Sequence, residues 1–126
     1  MKLTWLGATA FRVYVGGAIV VIDPDAAAPD VDRGELRAGA DRIVGLSDPA
    51  LPSLDPAGWR PRPSPRATED DLHDVEIARI AEAAVLIAAA GEPALVVLGP
   101  GSLPRFGRWA DGAVIVLTTA RESLVA

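Results

Sequence analysis

The sequence predicts one small α/β (α+β) domain spanning residues 1–126. Three observations carry this expectation. The first 25 residues alternate apolar with polar side chains and then run apolar, as a hairpin does. A 3.6-residue apolar stripe follows in the second half, and two short apolar runs close the chain. Half of the residues are hydrophobic, so the chain has the material for a core.

The elements follow in order. Residues 2–6, KLTWL, form a short β-type run. In FRVYV, residues 11–15, Phe11, Val13 and Val15 alternate with Arg12 and Tyr14, the pattern of a half-buried strand. Gly16-Gly17 is a two-residue hairpin signal, because glycine accepts positive φ without penalty. AIVVI, residues 18–22, returns as a nearly continuous apolar strand, and Asp23-Pro24 ends it. These three strands predict an antiparallel meander. Residues 25–40 are small and polar, with a helical turn near Gly34–Ala38, and DRIVGL, residues 41–46, is the next strand. A long Pro-rich loop, 47–67, carries prolines at 49, 52, 56, 61, 63 and 65, which forbid a regular helix or central strand.

Thr68 as N-cap, Asp71 three residues on, and the stripe Ile77, Ile80, Ala84, Ile87 and Ala88 predict a helix over 69–90, closed by Gly91. Residues 94–98, ALVVL, and 113–117, AVIVL, read as strands on either side of the turn GPGSLP. The second half is therefore expected as strand–helix–strand, and the sequence shows no internal repeat.

Composition narrows the function classes. A net charge of −5 argues against a nucleic-acid partner. The absence of cysteine removes disulfides and thiolate metal sites. No apolar run reaches the roughly 18 residues of a membrane span, so a cytoplasmic chain without a membrane partner is expected.

The residues WLGATAFRV…GGAIVVIDP carry a resemblance. They are similar to the N-terminus of the metallo-β-lactamase superfamily, in the branch of small metal-dependent hydrolases typified by ascorbate-6-phosphate lactonase. Members of that branch begin Trp-Leu-Gly-His, end the third strand with Ile-Asp-Pro, and carry Thr-His-x-His-x-Asp-His after the next strand. The resemblance covers residues 1–55 and implies a partial metallo-β-lactamase-like ββα layer. Carried over position by position, the histidine after Trp-Leu-Gly is Ala8, and the motif threonine is Ser47. The motif histidines fall on Asp48, Ala50 and Ser53, and its aspartate on Pro52. Of the four motif ligands only Asp48 has a donor for metal. A catalytic zinc needs about three protein ligands and an open position. The resemblance thus implies a scaffold whose catalytic ligands are lost, with no cofactor. Enzymes of the superfamily are built from two ββα halves, and this chain reads as one half plus a few elements. Its uncovered sheet face would then be paired by a second copy, as a homodimer.

Other candidates are each weighed against a plainer role. His73, the lone histidine, lies among Asp70, Asp71 and Asp74: a metal ligand or general base, or the solvated start of a helix. Asp23, Asp25, Asp30 and Asp32 lack calcium-loop spacing and suit turns and caps. Gly99-Pro100-Gly101-Ser102 lacks the phosphate-loop pattern, and neither Ser102 nor Ser53 has a triad partner. Trp59 and Trp109, each next to arginine, read as interface anchors or as lids folded over the chain's own core.

Three functional readings result. The first is a catalytically inactive, metal-free domain that works by binding, scaffolding or self-assembly. The second is a hydrolase with a non-family or partner-shared metal site, using Asp23, Asp48 and His73. The third is an unrelated small α/β ligand-binding domain.

Overall fold

The computed structural model describes residues 1–60, 75–89, 91–99 and 104–118. Its opening follows the sequence pattern. β1 (Lys2–Trp5), β2 (Phe11–Val15) and β3 (Ala18–Ile22) form the expected antiparallel meander. Gly16 and Gly17 sit at φ 57° and 80°, the left-handed pair that a tight two-residue hairpin demands. Asp23-Pro24 then leads into a 3-10 turn at Pro24–Ala26. A short helix, α1 (Arg33–Arg37), follows, its first amides capped by the Asp32 carboxylate. β4 (Arg42–Val44) lies parallel to β3.

The helix expected over 69–90 is replaced, from residue 75 onward, by two strands. β5 (Val75–Ala81) and β6 (Ala84–Ala89) pair antiparallel. Thr68, Asp70, Asp71, His73 and Asp74 lie outside the described residues. The stripe failed as a helix signal because its members divide between two faces of one sheet. Ile77 and Ile87 join the core on one side, and Ile80 and Ala84 the core on the other. A strand buried on both faces reads as a continuous apolar run and leaves no period to detect. The hairpin turn at Glu82-Ala83 also hides itself, since neither residue has positive φ and no glycine marks it. The β5–β6 ladder carries a register shift between Arg79 and Ala81. Gly91 does adopt positive φ, 81°, but in the turn from β6 to the next strand rather than at a helix end.

β7 (Leu95–Leu98) pairs antiparallel with β6, and β8 (Val114–Leu117) lies parallel to β7 across a crossover containing a 3-10 turn at Arg108–Gly112. The fold is thus mixed α/β, mostly two four-stranded sheets with little helix. Both sheets have the same plan, a three-strand meander followed by a parallel fourth strand. The sequence shows no repeat; the topology does.

The sheets pack face to face. Phe11, Val13, Val15, Val20 and Ile22 from the first meet Ile77, Val85, Ile87, Leu95 and Val97 from the second in one core. The outer face of the N-terminal sheet, with Val21, is covered by Ala27 and Leu36, and that of the C-terminal sheet, with Leu86 and Val96, by Trp59, Phe106 and Trp109. Each outer face is thus covered in part from within the chain, while Tyr14, Ile43 and Ile115 on those faces stay exposed.

Glu92, in the β6–β7 turn, ties the two sheets together. Its carboxylate accepts hydrogen bonds from the Gly16 amide and, at 2.8 Å, from the Met1 ammonium. The approach is close: a Cβ on Gly16 would lie 2.8 Å from the Ala89 methyl. Burial pushes the Glu92 carboxyl up, but the two hydrogen bonds and the ammonium charge together outweigh it and hold the pKa below its ordinary 4.5. A group depressed in the folded state stabilises above its unfolded pKa, and the contribution is lost as pH falls through the folded value. Glu92→Gln is expected to cost about 1–2 kcal/mol at pH 7 in urea unfolding, with the gap to wild type closing in acid. A gap unchanged between pH 7 and pH 3 would refute the linkage.

Candidate functional site

The C-terminal ends of the parallel pair β3 and β4 open on one mouth, and Asp23, which follows β3, lines it. The chain leaves β3 at Asp23 with φ 45° and ψ 56°, a left-handed conformation that Asp tolerates better than most residues. This turns the carboxylate back toward two other segments. Oδ2 accepts the Thr9 hydroxyl at 2.8 Å, and Oδ1 accepts the Leu46 amide at 3.1 Å. The backbone amide of Asp23 donates to Val44 O at 2.9 Å. One aspartate thereby stitches the β1–β2 turn, the end of β3 and the end of β4.

Ala8 stands beside Thr9 in a turn shaped by Gly7 and by its own positive φ of 44°. Gly7 has no room for a side chain, since an added Cβ would lie 2.7 Å from the Ala28 amide nitrogen. Asp48 is a near neighbour: a Cβ on Gly45 would lie 3.1 Å from Asp23 Oδ1 and 3.9 Å from Asp48 Cβ. The Asp48 carboxylate turns back on its own loop and accepts the Ala50 amide at 2.9 Å. A shallow cavity of about 390 Å³ lies on the same mouth, lined by Asp23, Asp25, Arg37 and Gly45 among others. There Arg37 pairs with Asp25 at 3.0 Å.

Of the motif positions, the structure brings Asp48 to Asp23, while the next residues run on toward β5. Pro52 O accepts the Arg79 amide at 2.9 Å, and Ser53 bridges Arg79 as a short parallel extension of that sheet. Of the trio Asp23, Asp48 and His73, the two aspartates are among the described residues and His73 lies outside them. Among the described residues no three His, Cys, Asp or Glu side chains group closely enough to hold a metal ion. Asp32 caps α1, which is the turn-and-cap role expected of that segment. No helix among the described residues is long and apolar enough to cross a membrane.

Trp59 and Trp109, fifty residues apart, meet edge to face at 4.9 Å and 80°. Trp59 is only 8% exposed, so of its two expected roles the lid over the chain's own core matches its burial. The sequence marks each tryptophan by its neighbouring arginine, but nothing in it shows that they touch. Thr9 and Leu46, the partners that fix Asp23, also escaped sequence reasoning, because a hydroxyl and a backbone amide carry no pattern. Comparison with protein-family models, with curated proteins and with solved structures returned no match.

Proposed function

We propose that this chain is a catalytically inactive, metal-free domain of metallo-β-lactamase-like architecture that works by binding. The observation that carries the reading is the donor set at the mouth of β3 and β4. Ala8, Ala50 and Pro52 offer no metal donor, and the Asp23 carboxylate has both oxygens engaged by Thr9 and Leu46. Asp48 accepts from its own loop. A hydrolytic zinc needs about three ligands free to point at it and an open position for water. Two facing sheets with helical segments outside support the resemblance drawn from WLGATAFRV and VVIDP.

Self-association belongs to the same proposal, through an edge rather than a face. β8 is an edge strand among the described residues, and its Val114, Ile115 and Leu117 are exposed. It carries none of the lysine or proline that blunts such edges. A second copy adding antiparallel along β8 would pair those backbone groups. The proposal places the chain in the cytoplasm, in keeping with a sequence that holds no cysteine.

Native mass spectrometry with elemental analysis tests both parts, on protein incubated with excess zinc and then dialysed. The expected result is a dimer mass without stoichiometric metal. One zinc per chain would overturn the metal-free reading, and a monomer at all concentrations would overturn the edge pairing.

A further inference from the structure

We propose that the cleft between residues 57–60 and 107–109 is a binding site for a planar organic oxyanion, a flat ring bearing a carboxylate or phosphate. The inference deepens the reading of this chain as a binding domain and gives it a ligand class. The cleft has a volume of about 610 Å³, within the usual range for small-molecule sites, and shares no lining residue with the cavity at Asp23.

The first support is an unmatched donor. The chain has three tryptophans. The Trp5 indole N–H donates to Ala8 O at 2.9 Å, and the Trp109 indole N–H donates to Pro56 O at 2.7 Å. Trp59 is the most buried of the three, yet among the described residues its N–H has no acceptor. A buried indole N–H ordinarily finds one. No fully buried side-chain nitrogen or oxygen among the described residues lacks a partner. The free N–H therefore belongs to the small part of Trp59 that reaches the surface, and Trp59 lines the cleft.

Two more unmatched donors line the same cleft. Arg60 and Arg108 line it from different segments. The ion pairs among the described residues are Met1 with Glu92 and Arg37 with Asp25, so neither of these guanidiniums has a carboxylate partner among them. The nearest acids in sequence, Asp55 and Asp111, pair with neither; Asp55 accepts the Ala57 amide at 3.0 Å instead. An indole N–H and two guanidinium forks, with no side-chain acceptor among the described residues of the lining, select a ligand rich in acceptors. Guanidinium forks match carboxylate and phosphate geometry in particular.

The walls supply the second half of the ligand. Trp59 and Trp109 stand edge to face, and Phe106 backs Trp109 at 5.5 Å. The walls are tied before any ligand arrives: the Gly107 amide and the Trp109 indole both donate to Pro56 O. Gly107 is fixed by this closeness, since a Cβ there would lie 2.9 Å from Ala57 O and 3.0 Å from the Trp109 ring. A preorganised aromatic wall beside two cations favours a flat ring carrying its charge at one end.

The test follows the three indole N–H resonances in ¹H–¹⁵N correlation spectra, assigned with single Trp→Phe variants. The probes are naphthalene-2-carboxylate, its neutral carboxamide, and acetate. The expected result is a shift of the Trp59 indole resonance with the carboxylate, and affinity at least about tenfold weaker for the carboxamide and for acetate. Arg108→Ala and Arg60→Ala are each expected to weaken the carboxylate about tenfold while the rest of the spectrum stays in place. Equal binding of carboxylate and carboxamide, a still Trp59 resonance, or undiminished affinity in both arginine variants would overturn the proposal. Zinc uptake by the wild-type chain would refute the metal-free reading and leave this result standing.

Discussion

Leu86→Ala is expected to destabilise the domain by about 3–4 kcal/mol, a large share of the roughly 5–15 kcal/mol that holds a domain of this kind together. Leu86 is 0% exposed in the centre of β6, paired across to Ala78 on one side and to Val96 on the other. Its side chain lies in the outer core with Trp59, Val96 and Leu98. The two tryptophans and Phe106 are held in place by the wall that Leu86 helps to form, so the cavity left by truncation has little freedom to collapse. The position also separates two secondary structures. On a helix through residue 86, the stripe of Ile77, Ile80, Ala84 and Ile87 faces the core, and Leu86 points away from it. Truncating an outward leucine changes stability by less than about 0.5 kcal/mol. Equilibrium urea unfolding at constant slope decides between them, and a loss under 1 kcal/mol would count against the β5–β6 hairpin.

That contrast shows where the sequence was legible. The first sheet could be read almost residue by residue. Phe11, Val13 and Val15 alternate because β2 has one core face, and Gly16-Gly17 supplies the positive-φ pair that closes the hairpin. β4 and the α1 turn also fall where they were expected, as do β7 and β8. The β5–β6 hairpin was not legible for two physical reasons. β6 is covered on both sides, so its pattern has no period, and alanine and glutamate around it favour helix locally. The turn between the strands uses Glu82 and Ala83 in ordinary backbone conformations, so it leaves no signal of its own. Tertiary burial overrode propensity there. The same gap hid the repeated sheet plan, because the second meander is recognisable only once β5 and β6 are separate strands. In the candidate site, Asp23 was legible as the end of a strand. What it holds was not, because hydrogen bonds to Thr9 and the Leu46 amide depend on the parallel placing of β4.

Asp23 yields the other large expected effect, and three substitutions together identify its role. Asp23→Ala removes the acceptor for the amide of Leu46, a residue 3% exposed, and for the Thr9 hydroxyl. It also leaves a plain Cβ in the left-handed conformation, where alanine is worse placed than aspartate. The expected cost is about 2–4 kcal/mol, most of it the desolvation of an orphaned amide. Asp23→Gly relieves the backbone and not the hydrogen bonds, and is expected to fall between alanine and wild type. Asp23→Asn keeps both: its amide oxygen accepts from Leu46, and its NH₂ donates to the Thr9 oxygen, which is able to accept. Asparagine also tolerates the left-handed region, so its cost is expected to stay under about 1 kcal/mol. The order Asn, Gly, Ala in thermal or urea stability is the signature of a carboxylate employed as a hydrogen-bonding joint. A metal ligand behaves in the opposite way, because the amide that preserves the joint discards the anionic charge a cation requires. Measured with and without added zinc, an Asp23→Asn variant that matches wild type in both conditions fixes the residue as a joint. Zinc-dependent stabilisation of wild type that the asparagine variant lacks would make Asp23 a metal ligand and bring the hydrolase reading back.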